Sequence, residues 1–244
     1  MDVEKRVSII KDWIINYVNS MPKKASTLVV GVSGGIDSAV VSTISSMTGI
    51  NTIVLSMPIR QIKSQDDLSK LHCNWLENKF KNTNYLNINL DDVFTNFENA
   101  LGLNNNEHAF ANSRARLRMT TLYQVAGSNN GIVVGTGNKV EDFGVGFYTK
   151  YGDGGVDISP IADCTKTQVW DMGKFLKIDQ RIIDAPPTDG LWTDGRNDED
   201  QLGMSYQDLE EAMINPDSKN FEKYKKIREN NLHKMKEIPV CKFN

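Results

Sequence analysis

Leu28-Val29-Val30-Gly31-Val32-Ser33-Gly34-Gly35-Ile36-Asp37-Ser38 runs an apolar strand into a Ser-Gly-Gly turn and then opens a helix. A junction of this kind is built to hold phosphate. Gly34 and Gly35 reach backbone conformations closed to other residues, so successive N–H groups can face one concavity at the positive end of a helix dipole. Ser33 and Ser38 add hydroxyl donors. Asp37 is the discordant member, because a carboxylate facing phosphate repels it unless a divalent cation lies between them. The loop therefore predicts magnesium together with a nucleotide.

Gly31-Val32-Ser33-Gly34-Gly35 also satisfies G-x-S-x-G, the nucleophile elbow of serine hydrolases. That fold needs earlier strands to supply its oxyanion hole, whereas only one helical segment precedes this loop. A triad would also need a later histidine, and His72, His108 and His233 stand in no distinctive setting. A Walker A loop is excluded because no lysine follows the glycines.

On either side of the loop, apolar residues recur at Val3, Val7, Ile10, Ile14 and Val18, a spacing that predicts an amphipathic helix over 3–19. Three more strands are expected at 52–57, 85–90 and 132–136, each separated from the next by a helix-length segment. This alternation predicts an α/β fold, a doubly wound parallel sheet flanked by helices. Ligands of such sheets sit at the carboxyl ends of the strands, where the loops 33–37, 58–64 and 137–155 all fall. Thr165-Lys166-Thr167-Gln168 matches a capping box and should start a helix reaching about Leu176. Pro186 and Pro187 then force a loop, further helices are expected over 206–214 and 220–236, and the acidic stretch 193–203 reads as mobile.

A chain of 244 residues with no internal repeat and no Pro/Ser-rich linker reads as one domain over 1–244. Its net charge of -3 argues against broad nucleic-acid or anionic-membrane binding, and the Lys-rich stretch 219–236 reads as a solvated helix face. Cys73, Cys164 and Cys241 are odd in number and far apart, which fits reduced thiols better than disulfides or structural zinc. No apolar run approaches the ~18 residues that cross a bilayer, so a cytoplasmic protein is expected.

Ser33-Gly34-Gly35-Ile36-Asp37-Ser38 resembles the SGGxDS loop of the N-type ATP pyrophosphatases, which activate a carboxyl or carbonyl oxygen by adenylylation. GMP synthetases, asparagine synthetases and tRNA-thiolating enzymes share that loop. Residues 112–166 narrow the resemblance, carrying in order Asn-Ser-Arg-Ala-Arg-Leu-Arg-Met, Gly-Thr-Gly-Asn-Lys-Val-Glu, Tyr-Thr-Lys-Tyr-Gly-Asp-Gly-Gly-Val-Asp and Thr-Lys. In these the chain resembles the NAD synthetases, from about residue 5 to the His233-Lys234 pair. The resemblance implies the adenine nucleotide α-hydrolase-like fold and a ligase that joins ammonia to the nicotinate carboxylate of deamido-NAD, with ATP giving AMP and pyrophosphate. Many relatives carry a glutaminase domain, for which this chain has no room, so the ammonia-dependent form is expected. A homodimer with the deamido-NAD site at its interface is implied as well.

By the same resemblance the ATP contacts are Gly31, Val32, Ser33, Gly34, Gly35, Ile36, Asp37, Ser38, Thr136, Lys166 and Thr188, and the magnesium ligands are Asp37 and Glu141. The Thr188 segment reads Pro187-Thr188-Asp189-Gly190-Leu191-Trp192, where Asp189 departs from the family pattern. Deamido-NAD contacts carry over to Arg116, Lys150, Asp157, His233 and Lys234. Arg114 and Arg118 share one helix face and read as solvated or salt-bridged, with Arg116 roughly 200° round from Arg114. Asp153 is the candidate catalytic residue: the donor arrives mostly as ammonium, and a nearby carboxylate can bind the cation and help remove its proton. Trp13, Trp75 and Trp170 read as core. Two alternatives stay open: another ATP pyrophosphatase that amidotransfers or modifies RNA, and a nucleotide sensor without turnover.

Overall fold

The computed structural model describes residues 1–102, 106–188 and 197–243. The first helix, α1 (Val3–Ser20), buries Val7, Ile10, Ile14 and Val18, the expected stripe, and leads into β1 (Thr27–Gly31). The chain continues through α2 (Ile36–Met47), β2 (Asn51–Ser56), α3 (Lys63–Lys79), β3 (Thr83–Asn87), α4 (Asp91–Leu101), α5 (Glu107–Ser128) and β4 (Gly131–Val133). All strand pairs are parallel, in the order β3-β2-β1-β4. This is the doubly wound arrangement expected from the sequence.

Period-two alternation in the strands separates two cores. Leu28, Val30 and Ile132 pack on one face with α1 and α2, while Val29, Ile53, Leu55 and Val133 pack on the other with Leu90, Phe94 and Ala126 of the α4–α5 layer. Leu28, Val29 and Val30 are wholly buried. Each contributes about 1.5–3 kcal/mol of burial, which fixes the strand that delivers the Gly-rich loop.

The strand ends differ from expectation by a few residues. β3 stops at Asn87, although the Ile88 and Leu90 N–H groups still bond to the carbonyls of Ser56 and Pro58 at the end of β2 and just beyond it. β4 stops at Val133, where the returning segment takes over: Val134 bridges Ile158, and the Gly135 N–H bonds to the Ile158 carbonyl.

After β4 come a π-helical segment (Lys139–Val145) and then α6 (Lys166–Phe175), α7 (Gln180–Ile183), α8 (Asp198–Leu202), α9 (Tyr206–Ile214) and α10 (Phe221–Met235). The last three helices build a satellite core with Val140 and Val145. The capping box at Thr165 and Gln168 forms as predicted. Of the stretch expected to be mobile, 193–196 lies outside the described residues, and 197–203 carries α8, opened by a second capping box from Asn197 to Asp200 and closed by Gly203 in the left-handed conformation.

Two further expectations are corrected. Trp13 is 43% exposed and stacks on the similarly exposed Tyr17 instead of entering the core. Arg118 is not on a solvated face: its guanidinium donates to the Met57 carbonyl at 3.0 Å and to Gln61 Oε1 at 2.8 Å, tying α5 to the loop after β2. Arg114 lies over the Phe94 ring of α4. No helix of the described residues is long and apolar enough to cross a membrane.

Candidate active site

The sheet's winding reverses at β1, which has β2 on one side and β4 on the other. Chain leaving β1 and chain leaving β4 therefore diverge, and a crevice opens between their loops at the carboxyl edge. The 33–38 loop borders one side of it. Gly34 has φ +93°, and a Cβ there would stand 2.6 Å from the Gln65 carbonyl oxygen, so only glycine allows both the turn and the close approach of α3. Ser69 of α3 completes that clamp by donating to the Val32 carbonyl at 2.6 Å.

The two loop serines serve the loop itself. Ser33 and Ser38 hydroxyls lie 3.1 Å apart, the Ser33 and Gly35 N–H groups donate to Ser38 Oγ and Ser33 Oγ, and Ser38 Oγ donates back to the Gly35 carbonyl. The turn is thus pre-folded, with Asp37 in the first turn of α2.

Across the crevice, Asn138 begins the π-helical segment. Fully buried, its Oδ1 accepts from the Val140 and Glu141 N–H groups and its Nδ2 donates to Asp37 Oδ1 at 3.1 Å. One side chain therefore caps the segment carrying Glu141 and fastens it to Asp37. Lys166 completes the junction, with Nζ 2.5 Å from Asp37 Oδ2 and 2.9 Å from Glu141 Oε1. Its side chain is 3% exposed, and those of Asp37 and Glu141 are 17% and 16% exposed. An ammonium at the first position of α6 faces an unfavourable helix dipole, which the two carboxylates offset.

Burial would lower the Lys166 pKa, but Asp37 and Glu141 raise it above the ordinary value. Burial pushes the Asp37 carboxyl up against the pull of Lys166. At Glu141 burial acts the same way but is outweighed by Lys166, the Tyr206 hydroxyl and Asn138, and the carboxyl is held below its ordinary value. Tyr206 is wholly buried, its hydroxyl donates to Glu141 Oε1 at 2.5 Å and lies 3.2 Å from Asp198 Oδ2, and its own ionisation is pushed far up by burial and these carboxylates.

Two hard carboxylates that already share one positive charge are a donor set suited to magnesium. Among the described residues no group of three or more His, Cys, Asp or Glu is arranged to hold a metal alone, so further ligands would come from phosphate or water.

A second group lies along the Gly-rich 148–157 segment. Arg116 Nε donates to the Lys150 carbonyl at 3.3 Å, and Lys150 Nζ donates to the His233 carbonyl at 3.3 Å. Lys234 Nζ donates to the Tyr148 carbonyl at 2.8 Å. Arg116, Lys150 and His233, three of the five residues assigned to deamido-NAD by resemblance, are thus linked by hydrogen bonds, and Lys234 ties to the same segment through Tyr148. Asp157, the fifth, accepts from the Val133 N–H at 2.7 Å and from the Tyr123 hydroxyl at 3.1 Å, which fixes it to the end of β4 and to α5. Asp153 is exposed and accepts from the Thr149 N–H at 2.9 Å. Thr136 and Thr188 are half-buried, and the Asp189–Trp192 part of the Thr188 segment lies outside the described residues.

Asn138, Tyr206 and Asp142 escaped sequence reasoning. The Asn138 signal was available, since asparagine ahead of a helical run is a capping residue. Tyr206 carried none. The Asp142 carboxyl packs against Gly137, where a Cβ would collide with it, and its pKa is pushed well up by burial and by Asp153, Glu141 and Asp37. It stands electrostatically between the Lys166 junction and Asp153.

A sequence profile described as NAD synthase matches residues 6–242. The chain belongs to the NAD synthase family. Among relatives, this family member is 36% identical over 208 residues to the NH(3)-dependent NAD(+) synthetase of Carboxydothermus hydrogenoformans, covering 82% of this chain and 83% of that protein. Among solved structures, the NMN synthetase of Francisella tularensis superposes with a TM-score of 0.90 at 29% identity, covering 100% of both chains. The NH3-dependent NAD synthetase of Campylobacter jejuni, solved with a nitrate ion, gives a TM-score of 0.79 at 25% identity, over 99% of this chain and 100% of that one. The adenine nucleotide α-hydrolase fold of this NAD synthase family member accords with these neighbours.

Proposed function

We propose that this chain is an ammonia-dependent NAD synthetase: it adenylylates the nicotinate carboxylate of deamido-NAD with ATP, and ammonia then displaces AMP to give NAD. The observation that carries the reading is the junction of Asp37, Glu141 and Lys166 beside a pre-folded phosphate loop, in a member of this family. A free carboxylate resists attack by ammonia, and AMP as leaving group removes that obstacle.

In this mechanism Gly31, Val32, Ser33, Gly34, Gly35, Ile36 and Ser38 cradle the phosphates of ATP, and Thr136, Lys166 and Thr188 complete the contacts. Asp37 and Glu141 would hold magnesium, whose chemistry there is to neutralise charge on phosphate oxygens. The loop and Lys166 keep the pyrophosphate group in line with the attacking carboxylate oxygen. Arg116, Lys150, Asp157, His233 and Lys234 take deamido-NAD, the cations facing its anionic groups. Asp153 binds ammonium and accepts its proton before attack. The ATP pyrophosphatase domain takes free ammonia as its nitrogen donor, and we assign it to the cytoplasm, where Cys73 and Cys164, both buried and free, stay reduced.

A homodimer is part of the proposal. Arg116, Thr120, Tyr123 and Gly127 form an exposed line along α5, and Arg116 together with the Tyr123-bound Asp157 belongs to the proposed deamido-NAD site. An interface along α5 would close that site.

A second reading is favoured by the structural neighbour with TM-score 0.90, described as an NMN synthetase: the nicotinate carboxylate amidated here would then belong to the mononucleotide. One assay separates them. Pyrophosphate release from ATP is followed with deamido-NAD or nicotinate mononucleotide, and with ammonium or glutamine. Release with deamido-NAD and ammonium, and none above background with glutamine in its place, is expected. Turnover of the mononucleotide alone would replace the dinucleotide reading, and ATP binding without pyrophosphate release would overturn both.

A further inference from the structure

One oxygen of each acid, Asp37 Oδ2 and Glu141 Oε1, is already engaged by Lys166. We propose that Lys166 is a built-in counter-ion that keeps this carboxylate pair closed to divalent metal in the nucleotide-free chain. It leaves the pair only when nucleotide phosphate offers its ammonium another anion, so metal enters with nucleotide and not ahead of it. This rests on the assignment of the 33–38 loop to phosphate and of the two acids to magnesium.

Three observations carry it. Lys166 is almost fully buried, with its ammonium bonded to both acids, so a metal at those oxygens would stand beside a like charge. Its backbone is fixed by the Thr165–Gln168 capping box and by the packing of α6 on α2, where a Cβ at Gly173 would strike Ile36. Only the four-carbon stem is left to move, and the ammonium that swings on it starts from Asp37, in the first turn after the phosphate loop. Finally, the Tyr206 hydroxyl donates to the same Glu141 Oε1 that Lys166 engages, with the Tyr206 ring centroid 4.9 Å from Lys166 Nζ, so the acid keeps a partner when the ammonium departs.

The test is a Mn2+ titration of the nucleotide-free protein followed by electron paramagnetic resonance, with no turnover involved. Wild type is expected to bind Mn2+ weakly. Lys166→Met and Lys166→Gln should bind one Mn2+ per chain at least about tenfold more tightly, and the gain should vanish in Lys166→Gln combined with Glu141→Gln. Should Lys166→Met fail to fold, Lys166→Gln, which keeps an N–H donor for the acids, carries the comparison, with folding checked by thermal unfolding. Tight one-to-one Mn2+ binding by wild type, lost in Glu141→Gln, would overturn the proposal, as would variants no tighter than wild type. The amidation reading is judged separately by pyrophosphate release, so either can fail alone.

Discussion

Asp153 is a side chain in a turn to which the proposed mechanism gives a chemical task. Gly-Asp-Gly-Gly is ordinary turn chemistry, and the carboxylate duly accepts from the Thr149 backbone N–H. Its surroundings set it apart from an ordinary turn: Asp153 is among the charges that push the buried Asp142 carboxyl well up, and with Asp142 it opposes the burial that holds the Lys234 ammonium below its ordinary pKa. In the proposed mechanism the Asp153 carboxylate binds ammonium and takes its proton. Asp153→Asn is expected to lower kcat/KM for ammonium by about a hundredfold, and the deficit should shrink as pH rises and free ammonia becomes abundant. Steady-state rates against ammonium at several pH values check this; an unchanged ammonium and pH dependence would remove Asp153 from the mechanism. Roles of this kind were legible only through the motif, because composition and spacing leave a carboxylate in a Gly-rich loop as a turn residue. Tyr206 shows the opposite limit. Nothing in its local sequence marks it, since its importance lies in reaching Glu141 from a different helix.

Among the elements, the α2–α3 pair sets the phosphate loop, and His72 joins the two. Its ring is 2% exposed, stacks on Trp75, and places Nε2 3.1 Å from both Ser42 Oγ and the Ala39 carbonyl oxygen. Burial pushes its pKa down to about 4 from 6.5, with only weak opposition from Asp179 and the Ala39 carbonyl. Because the folded value is the depressed one, His72 contributes its stability fully above pH 6.5 and loses it as pH falls toward 4. The loss should be about 3 kcal/mol over that window, read as urea unfolding free energy, and His72→Gln should flatten that part of the profile. The elements themselves were largely legible. Apolar spacing in α1 and the capping box of α6 are local signals and gave nearly the observed limits. The ends of β3 and β4 were not, because strand ends depend on pairing, and the partners here, β2 for β3 and Ile158 for the segment after β4, are remote in sequence. Trp13 was misread for a related reason: it sits one step off the buried stripe, and helical periodicity alone does not say how wide the core contact is.

For the whole molecule, the proposed dimer makes a clear demand on α5. Gly127 is exposed on the line of Arg116, Thr120 and Tyr123, and a Cβ there would meet nothing within 4 Å. Gly127→Arg should therefore leave the folded protomer intact while blocking an interface of about 800 Å² per partner. Sedimentation velocity should show a dimer for wild type and a monomer for the variant, with deamido-NAD turnover reduced in the monomer. A wild-type monomer with full turnover would contradict the arrangement. The reversal of winding at β1 has a different consequence. Asp37 follows the first strand, whereas Glu141 and Lys166 follow the last. A chain emerging from the ribosome thus exposes its glycine bend long before the residues that answer it, and the proposed ATP crevice is complete only once β4 has been added and α6 has docked.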